Sequence, residues 1–201
     1  AYGVLPLDDR AQARAFARDP QTGLRRRFVM YPGTRLLTPV SGPNFSMRSF
    51  RIAAFVDDDG SAEGVLFAYG RRAAGFSLFV QDRRLRFDYN LAGRHTELAS
   101  PDALPAGVHV LGCDVVVAAD GTEVRLTVDG TIAANCTLPM PFPAGFGVMS
   151  SQCGLNSPSP VCVRYAAPYA FSGHLDRVEV ELGDADDRAS AGLWAAAVKS
   201  E

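Results

Sequence analysis

The chain has 201 residues, 47% of them apolar and 21% charged, with a formal net charge of −2 at neutral pH. That length fits about one domain with a real core. The near-neutral balance excludes a broadly basic nucleic-acid surface, and no apolar run approaches the roughly 20 residues of a membrane-spanning helix.

Residues 1–27 differ from the rest. "RAQARAFARD", rich in Ala and Arg and running toward Pro20 and Gly23, predicts a short helix over residues 10–18 within a linker. The chain opens at Ala1 with no charged-then-apolar leader and is expected to be a piece of a longer protein. From Phe28 onward it reads as strands and turns. "RRRFVMYPG" is a short strand stopped by Pro32 and Gly33, and "SFRIAAFVD" alternates up to the turn "DDDGS". "EGVLFAYG", "GFSLFVQD" and "RLRFDYNLAG" make one meander with Gly or Asp at its corners. "GVHVLGCDVVVAAD", "TEVRLTVD" and "TIAANCTL" make a second, its corners Asp-Gly pairs that favour type I′ turns. "LPMPFPAGFG" leads into an irregular loop over 150–168, "GHLDRVEVELG" is the last strand, and an acidic "DADD" at 184–187 caps a closing helix over 186–198. Many short strands without βαβ alternation predict an all-β fold: a two-sheet antiparallel β-sandwich of jelly-roll type over 28–183, with short helices only in the flanking segments 1–27 and 184–201. Leu78, Val80, Leu85, Phe87, Leu126 and Val128 are its expected core.

"GFSLFVQDRRLRFDYN" (75–90) has a period of two. Phe76, Leu78 and Val80 with Leu85, Phe87 and Tyr89 form one face; Ser77, Phe79, Gln81, Arg84, Arg86 and Asp88 form the other. A face meant only for water has no use for Phe79, and a glycan platform would show several rings. One ring among arginines predicts a docking surface covered by the N-terminal linker or a further domain, with Arg84 and Arg86 pairing with carboxylates of the cover. Arg71, Arg72 and Arg94 surround the same meander with Tyr69 and Tyr89, as an anion site or as a solvated face. The candidate docking or ligand residues are therefore Phe79, Arg84, Arg86, Arg71 and Arg94.

Catalytic machinery is not visible. There is no phosphate loop and no nucleophile elbow. His95, His109 and His174 are scattered without metal-like spacing. Glu179 and Glu181 have the spacing of a glycosidase pair but alternate with Val178, Val180 and Leu182, which places them on a solvent face. "DDD" at 57–59 and "DADD" read as a hairpin corner and a helix cap rather than calcium ligands. Of the four cysteines, Cys113 is expected near Val128 and facing the core, Cys136 near Glu123 and facing out. Cys153 and Cys162 bracket a loop able to close as a disulfide in an oxidising compartment. No metal site is expected. The cytoplasm is the favoured compartment, with periplasm or secretion as alternatives.

"YGVLPLDDR" (2–10), "YPGTRL" (31–36), "PNFSMRSF" (43–50), "AEGVLFAYGRRAAGFSLFVQDRRLRFDYN" (62–90), "LPAGVH" (104–109), "VRLTVDG" (124–130) and "APYAFSGHLDRVEVELG" (167–183) together resemble the C-terminal domain of the long bacterial arylsulfatases. Their order and spacing are those of that family from Tyr2 to Gly183. The resemblance implies a laminin-G or concanavalin-A-like sandwich beside a catalytic domain whose nucleophile is a formylglycine, matured from C/S-x-P-x-R and set beside calcium. No stretch here has that pattern: "SGPNF" (41–45) carries Phe45 where Arg is required. Formylglycine, calcium and the catalytic residues are thus expected in an upstream domain, the principal partner of this one. The loop before "SPVCVRY" also departs from the family, where it is usually acidic. Gln152, Leu155, Asn156, Cys162, Val163 and Arg164 stand there instead, which implies no cation. A carbohydrate- or sulfate-ester-binding module is the alternative, and an independent glycosidase a remote one.

Overall fold

The computed structural model describes residues 25–39, 41–143 and 149–185. The helices expected over 10–18 and 186–198 lie outside the described residues. In chain order the strands are β1 (Arg27–Met30), β2 (Arg48–Asp58), β3 (Gly64–Arg71), β4 (Ala74–Gln81), β5 (Arg84–Leu91) and β6 (Arg94–Ala99). Then come β7 (Gly107–Ala118), β8 (Gly121–Val128), β9 (Thr131–Leu138), β10 (Ser151–Cys153), β11 (Leu155–Asn156), β12 (Tyr169–Ala170) and β13 (His174–Ala185).

Two sheets pack face to face. The first has the order β1-β13-β2-β7-β8-β9 and is antiparallel throughout. The second runs β11-β12-β3-β4-β5-β6, with β10 also on β3. It is mixed rather than purely antiparallel, because β12 joins β3 in parallel through Ala170 and Val65. That approach requires Gly64, whose φ is +124° and where a Cβ would stand 2.1 Å from the carbonyl oxygen of Ala170.

The alternation read in the sequence fills the space between the sheets. Phe76, Leu78, Val80, Leu85, Phe87 and Tyr89 are buried there against Ile52, Cys113, Leu126 and Val180. Val128 reaches this core only partly buried. Phe45, which stands where a sulfatase motif would place arginine, is a fully buried ring against Phe50, Phe67, Tyr69 and Phe76. Tyr69 and Tyr89 also lie in this core rather than beside the arginines, and the Tyr89 hydroxyl finds no protein partner there.

The second meander departs from its expected register twice. The β7–β8 turn centres on Ala119 and Asp120, so Cys113 lies opposite Leu126, not Val128. A bulge between Leu126 and Thr127 then moves Cys136 opposite Val124, which turns its side chain toward the core instead of outward. One extra residue in one strand is enough, because side chains alternate with a period of two.

Three corners use left-handed turn residues: Asp82-Arg83, Ala92-Gly93 and Asp129-Gly130, all with positive φ. Ala92 (φ +52°) is exposed and gains nothing for its strain. Ala92→Gly is expected to raise stability by about 1 kcal/mol, read as a higher urea midpoint with an unchanged slope; a lowered midpoint would refute this turn geometry.

Candidate functional site

The outward face of the second sheet is not wet. Residues 157–169 lie across it, and Val161, Cys162, Tyr165 and Tyr169 pack on Val65, Ala68 and Phe79. Phe79 is 1% exposed. The Tyr165 ring meets it edge-on at 5.3 Å and stacks at 4.8 Å on Tyr169. The lone ring on a polar face is covered by the chain's own irregular segment; the N-terminal linker named as its cover lies outside the described residues.

Polar groups stitch the cover to the sheet. Tyr165 Oη sits 2.9 Å from Asn156 Oδ1, to which it donates, and 2.9 Å from the Ser77 hydroxyl. The Val161 amide donates to the same Asn156 oxygen at 2.8 Å. Asn90 Nδ2 donates to the carbonyls of Arg72 and Val161, both at 2.9 Å, while its Oδ1 accepts from the Gly93 amide. Asn90 is satisfied at both ends of its amide and Asn156 at its oxygen only, its Nδ2 finding no protein partner; these bonds tie the loop down, since each one lost would strand a group away from water.

At the centre of this layer lies Asp88, fully buried. Its carboxylate meets His95 Nδ1 at 2.8 and 3.0 Å and accepts from the Cys162 thiol at 3.3 Å. Burial holds the Asp88 carboxyl above the ordinary carboxylate range, against the lowering effect of the His95 hydrogen bond. Burial also pushes the Cys162 thiol up to about 12. The sulfur is thereby held in its protonated form, in which it donates to Asp88. The disulfide expected between Cys153 and Cys162 is not formed. Cys153 sits in the core between the sheets with its thiol toward Met30 O, whereas Cys162 lies in the cover on the other side of the second sheet.

The candidate arginines divide between two ends of the sheet. At one end Arg86 donates from Nε to Gln81 O (3.2 Å) and from Nη2 to Asp82 (3.0 Å), and Arg84 donates to the carbonyls of Ser100 and Pro101. Neither bonds a carboxylate of the cover, contrary to expectation; within the cover it is Arg164 that pairs with a sheet carboxylate, Glu97. Between Arg86, Arg164 and Glu97 a notch of about 170 Å³ opens over Phe79, Leu98 and Ala99. Arg71 and Arg94 stand at the opposite end, at the tips of the β3–β4 and β5–β6 turns, exposed. An eight-residue strand, about 26 Å long, separates the two groups.

Most of the remaining chemical candidates are held in structural pairs. His109 Nδ1 meets Asp129 at 2.8 Å; Glu179 accepts from Arg177 at 2.7 Å; Glu181 pairs with Arg27 at 2.7 Å. Asp58 and Asp59 accept amide hydrogens of Ala62 and Ser61, as a hairpin corner does. Among the described residues no three His, Cys, Asp or Glu side chains converge as metal ligands. Of "DADD", Asp184 pairs with Arg26 and residues 186–187 lie outside the described residues. A shallower groove of about 430 Å³ runs over Val116, Glu123, Arg125 and Asn135 on the first sheet. The Arg86–Arg164 notch was only half visible in the sequence: Arg86 and Phe79 were candidates, whereas Glu97 and Arg164 come from a strand and a loop with no periodic signal.

No protein-family model matches the sequence, and no curated protein matches it. Solved structures do match. The chain is similar to the CBM40 domain of the Ruminococcus gnavus IT-sialidase bound to α2,3-sialyllactose, with a TM-score of 0.54 and 14% identity over 81% of this chain and 91% of that one. It is also similar to mouse laminin α1 chain domains LG4-5 (TM-score 0.51, 14% identity, 79% of this chain and 39% of that one). A third is the leech intramolecular trans-sialidase (TM-score 0.53, 13% identity, 83% of this chain and 27% of that one). The fold is a laminin-G-like sandwich. None of these three proteins is a sulfatase, and identity this low speaks to fold alone.

Proposed function

We propose that this chain is the non-catalytic C-terminal sandwich of a sulfatase, a module that accompanies a separate catalytic domain and serves its stability, assembly or access to substrate. The observation that carries this reading is the ordered run of motifs from Tyr2 to Gly183 that resembles the long arylsulfatases. Within the described residues those motifs are structural parts: "AEGVLFAYG" leads into buried β3, "GFSLFVQDRRLRFDYN" is the central hairpin, and "APYAFSGHLDRVEVELG" closes the cover and forms β13. The site's chemistry agrees, since His95 and His109 each hydrogen-bond an aspartate, and Glu179 and Glu181 each pair with an arginine, instead of facing a shared cavity. On this reading formylglycine and calcium belong to the neighbouring domain.

A second reading, a carbohydrate-binding module, is favoured by one feature. The notch sets the guanidiniums of Arg86 and Arg164 beside the Glu97 carboxylate and the part-buried Leu98 and Ala99, a polar-on-apolar arrangement suited to an acidic sugar. The CBM40 neighbour bound to sialyllactose supports it.

Two measurements decide. The purified chain with added calcium is expected to show no aryl sulfate turnover, and the reading frame upstream of Ala1 is expected to encode C/S-x-P-x-R. A frame without that motif, or turnover that copurifies with this polypeptide, overturns the sulfatase reading. Binding on a glycan array to sialylated ligands that is abolished by Arg86→Ala with Arg164→Ala would establish the second reading.

A further inference from the structure

Most described arginines of this protein have a carboxylate or carbonyl to hold. Arg26, Arg27, Arg51, Arg86, Arg125, Arg164 and Arg177 are in ion pairs, and Arg83 and Arg84 donate to carbonyl oxygens. At one end of the second sheet the pattern breaks. Arg71, Arg72 and Arg94 are exposed, and among the described residues their guanidiniums join no ion pair or side-chain hydrogen bond.

The register puts them together. Arg71 lies opposite Ala74, Ala74 opposite Leu91, and Leu91 opposite Arg94, so one row across β3, β4, β5 and β6 begins and ends on arginine. Three strand spacings of about 4.8 Å set the two backbones about 14 Å apart. Arg72 stands at the tip of the first turn. The side chain of Asn90 fixes the two turns to each other, donating to Arg72 O and accepting from Gly93 N. Neither turn, Arg71-Arg72-Ala73-Ala74 or Leu91-Ala92-Gly93-Arg94, contains a carboxylate. Three exposed like charges without a carboxylate in either turn make a local positive field that favours an anion.

We propose that this end of the sheet binds a sulfated polysaccharide. Sulfate takes the planar fork of a guanidinium through paired hydrogen bonds. The spacing calls for a ligand whose anions repeat along its length. The residues between the arginines are Ala73, Ala74, Leu91, Ala92 and Gly93; Leu91 packs against the core, and the others offer no ring on which a base or a sugar face would stack and no large apolar side chain to enter a bilayer. Charge repeated along a flexible polymer is the recognition that remains. The inference does not rest on the sulfatase reading and survives its failure, because it concerns residues apart from both the notch and any catalytic domain.

The test measures binding of fluorescent heparin to this 201-residue chain at about 50 and about 200 mM NaCl. The chain is expected to bind at the lower salt and to weaken steeply at the higher. Arg71→Ser with Arg72→Ser and Arg94→Ser is expected to weaken binding by about tenfold or more, with an unchanged melting temperature because none of the three guanidiniums holds a partner among the described residues. Arg86→Ser with Arg164→Ser is expected to leave heparin binding as it was, and desulfated heparin is expected not to bind. Failure of the unaltered chain to bind at low salt overturns the proposal. So does equal binding by the triple variant, transfer of the effect to the notch variant, or stronger binding to phosphatidylserine vesicles or single-stranded DNA than to heparin.

Discussion

Phe76→Ala is expected to lower the free energy of unfolding by about 3–5 kcal/mol, the cost of removing a buried aromatic side chain from a core that only partly collapses. Phe76 is completely buried and sits at the hub of the aromatic cluster. Its ring lies 5.0 Å from Phe45 and from Phe50, 5.5 Å from Tyr69, 5.8 Å from Phe87, 6.1 Å from Phe67 and 6.2 Å from Phe142. Rings so placed add edge-to-face and offset-stacking attraction to the burial of apolar area. They come from both sheets and from the loop residues Phe45 and Phe142, so the void cannot be closed by one side chain moving. In a domain of this size each kcal/mol shifts the melting temperature by roughly 2–4 °C, which puts the variant about 6–20 °C below its parent. Val163→Ala, at a position 70% exposed, is the control and is expected to stay within about 0.5 kcal/mol. A Phe76→Ala loss below about 1 kcal/mol would mean that the two sheets do not close on each other as described.

The same hairpin shows what a sequence discloses about such a fold. Its inner face was legible because alternation is a local signal, and Leu78, Val80, Leu85 and Phe87 are all core. β6 was not legible: "RHTELA" mixes polar residues on both faces and sits at the sheet edge, where half-burial suffices and no apolar stripe is required. β10, β11 and β12 are two or three residues long; β10 and β12 pair with β3 and β11 with β12, a tertiary cause without a local trace. Alternation puts Ser77 and Asp88 on the face opposite the apolar stripe, and Asn90 shares their polarity. They are buried, and their partners arrive from His95 on the next strand and from Val161, Cys162 and Tyr165, more than 70 residues later in the chain. Polarity in the sequence marks the need for a hydrogen-bond partner; it does not say whether water or protein supplies it.

The candidate site followed the same rule. A cluster of arginines along the sequence was read as a cluster in space, although the residues near 71 and 94 and those near 84 and 86 are at opposite strand ends. The correct grouping follows from counting along the hairpins, since turns at Arg72-Ala73 and at Ala92-Gly93 must fall at the same end of a meander. Arg164 and Glu97 had no such route, because their meeting depends on how the irregular segment crosses the sheet.

That crossing is the subject of the second large effect. Tyr165→Ala is expected to cost about 3–5 kcal/mol locally, removing a buried ring, leaving the Ser77 hydroxyl without its partner and Asn156 Oδ1 with the Val161 amide alone. The residues beneath the cover form a small cluster of their own, separate from the main core. The loss should therefore open the cover before it unfolds the sandwich. Amide exchange is expected to rise sharply at Val161 and Arg164, whose N–H groups bond within the cover, and to change little in β7 and β8. Exposed Phe79 should bind a hydrophobic dye that the unaltered chain does not. Tyr165→Phe separates the two contributions: it keeps the ring on Phe79 and is expected to cost about 1–3 kcal/mol, the loss of the buried hydroxyl alone. Combining Phe79→Ser with Tyr165→Ala then measures the contact between the rings. Edge-to-face partners are expected to show a coupling of about 0.5–1.5 kcal/mol, so the double variant should lose less than the sum of the single losses. Strict additivity would mean that Tyr165 holds the cover through its hydroxyl and that Phe79 is buried without gripping it.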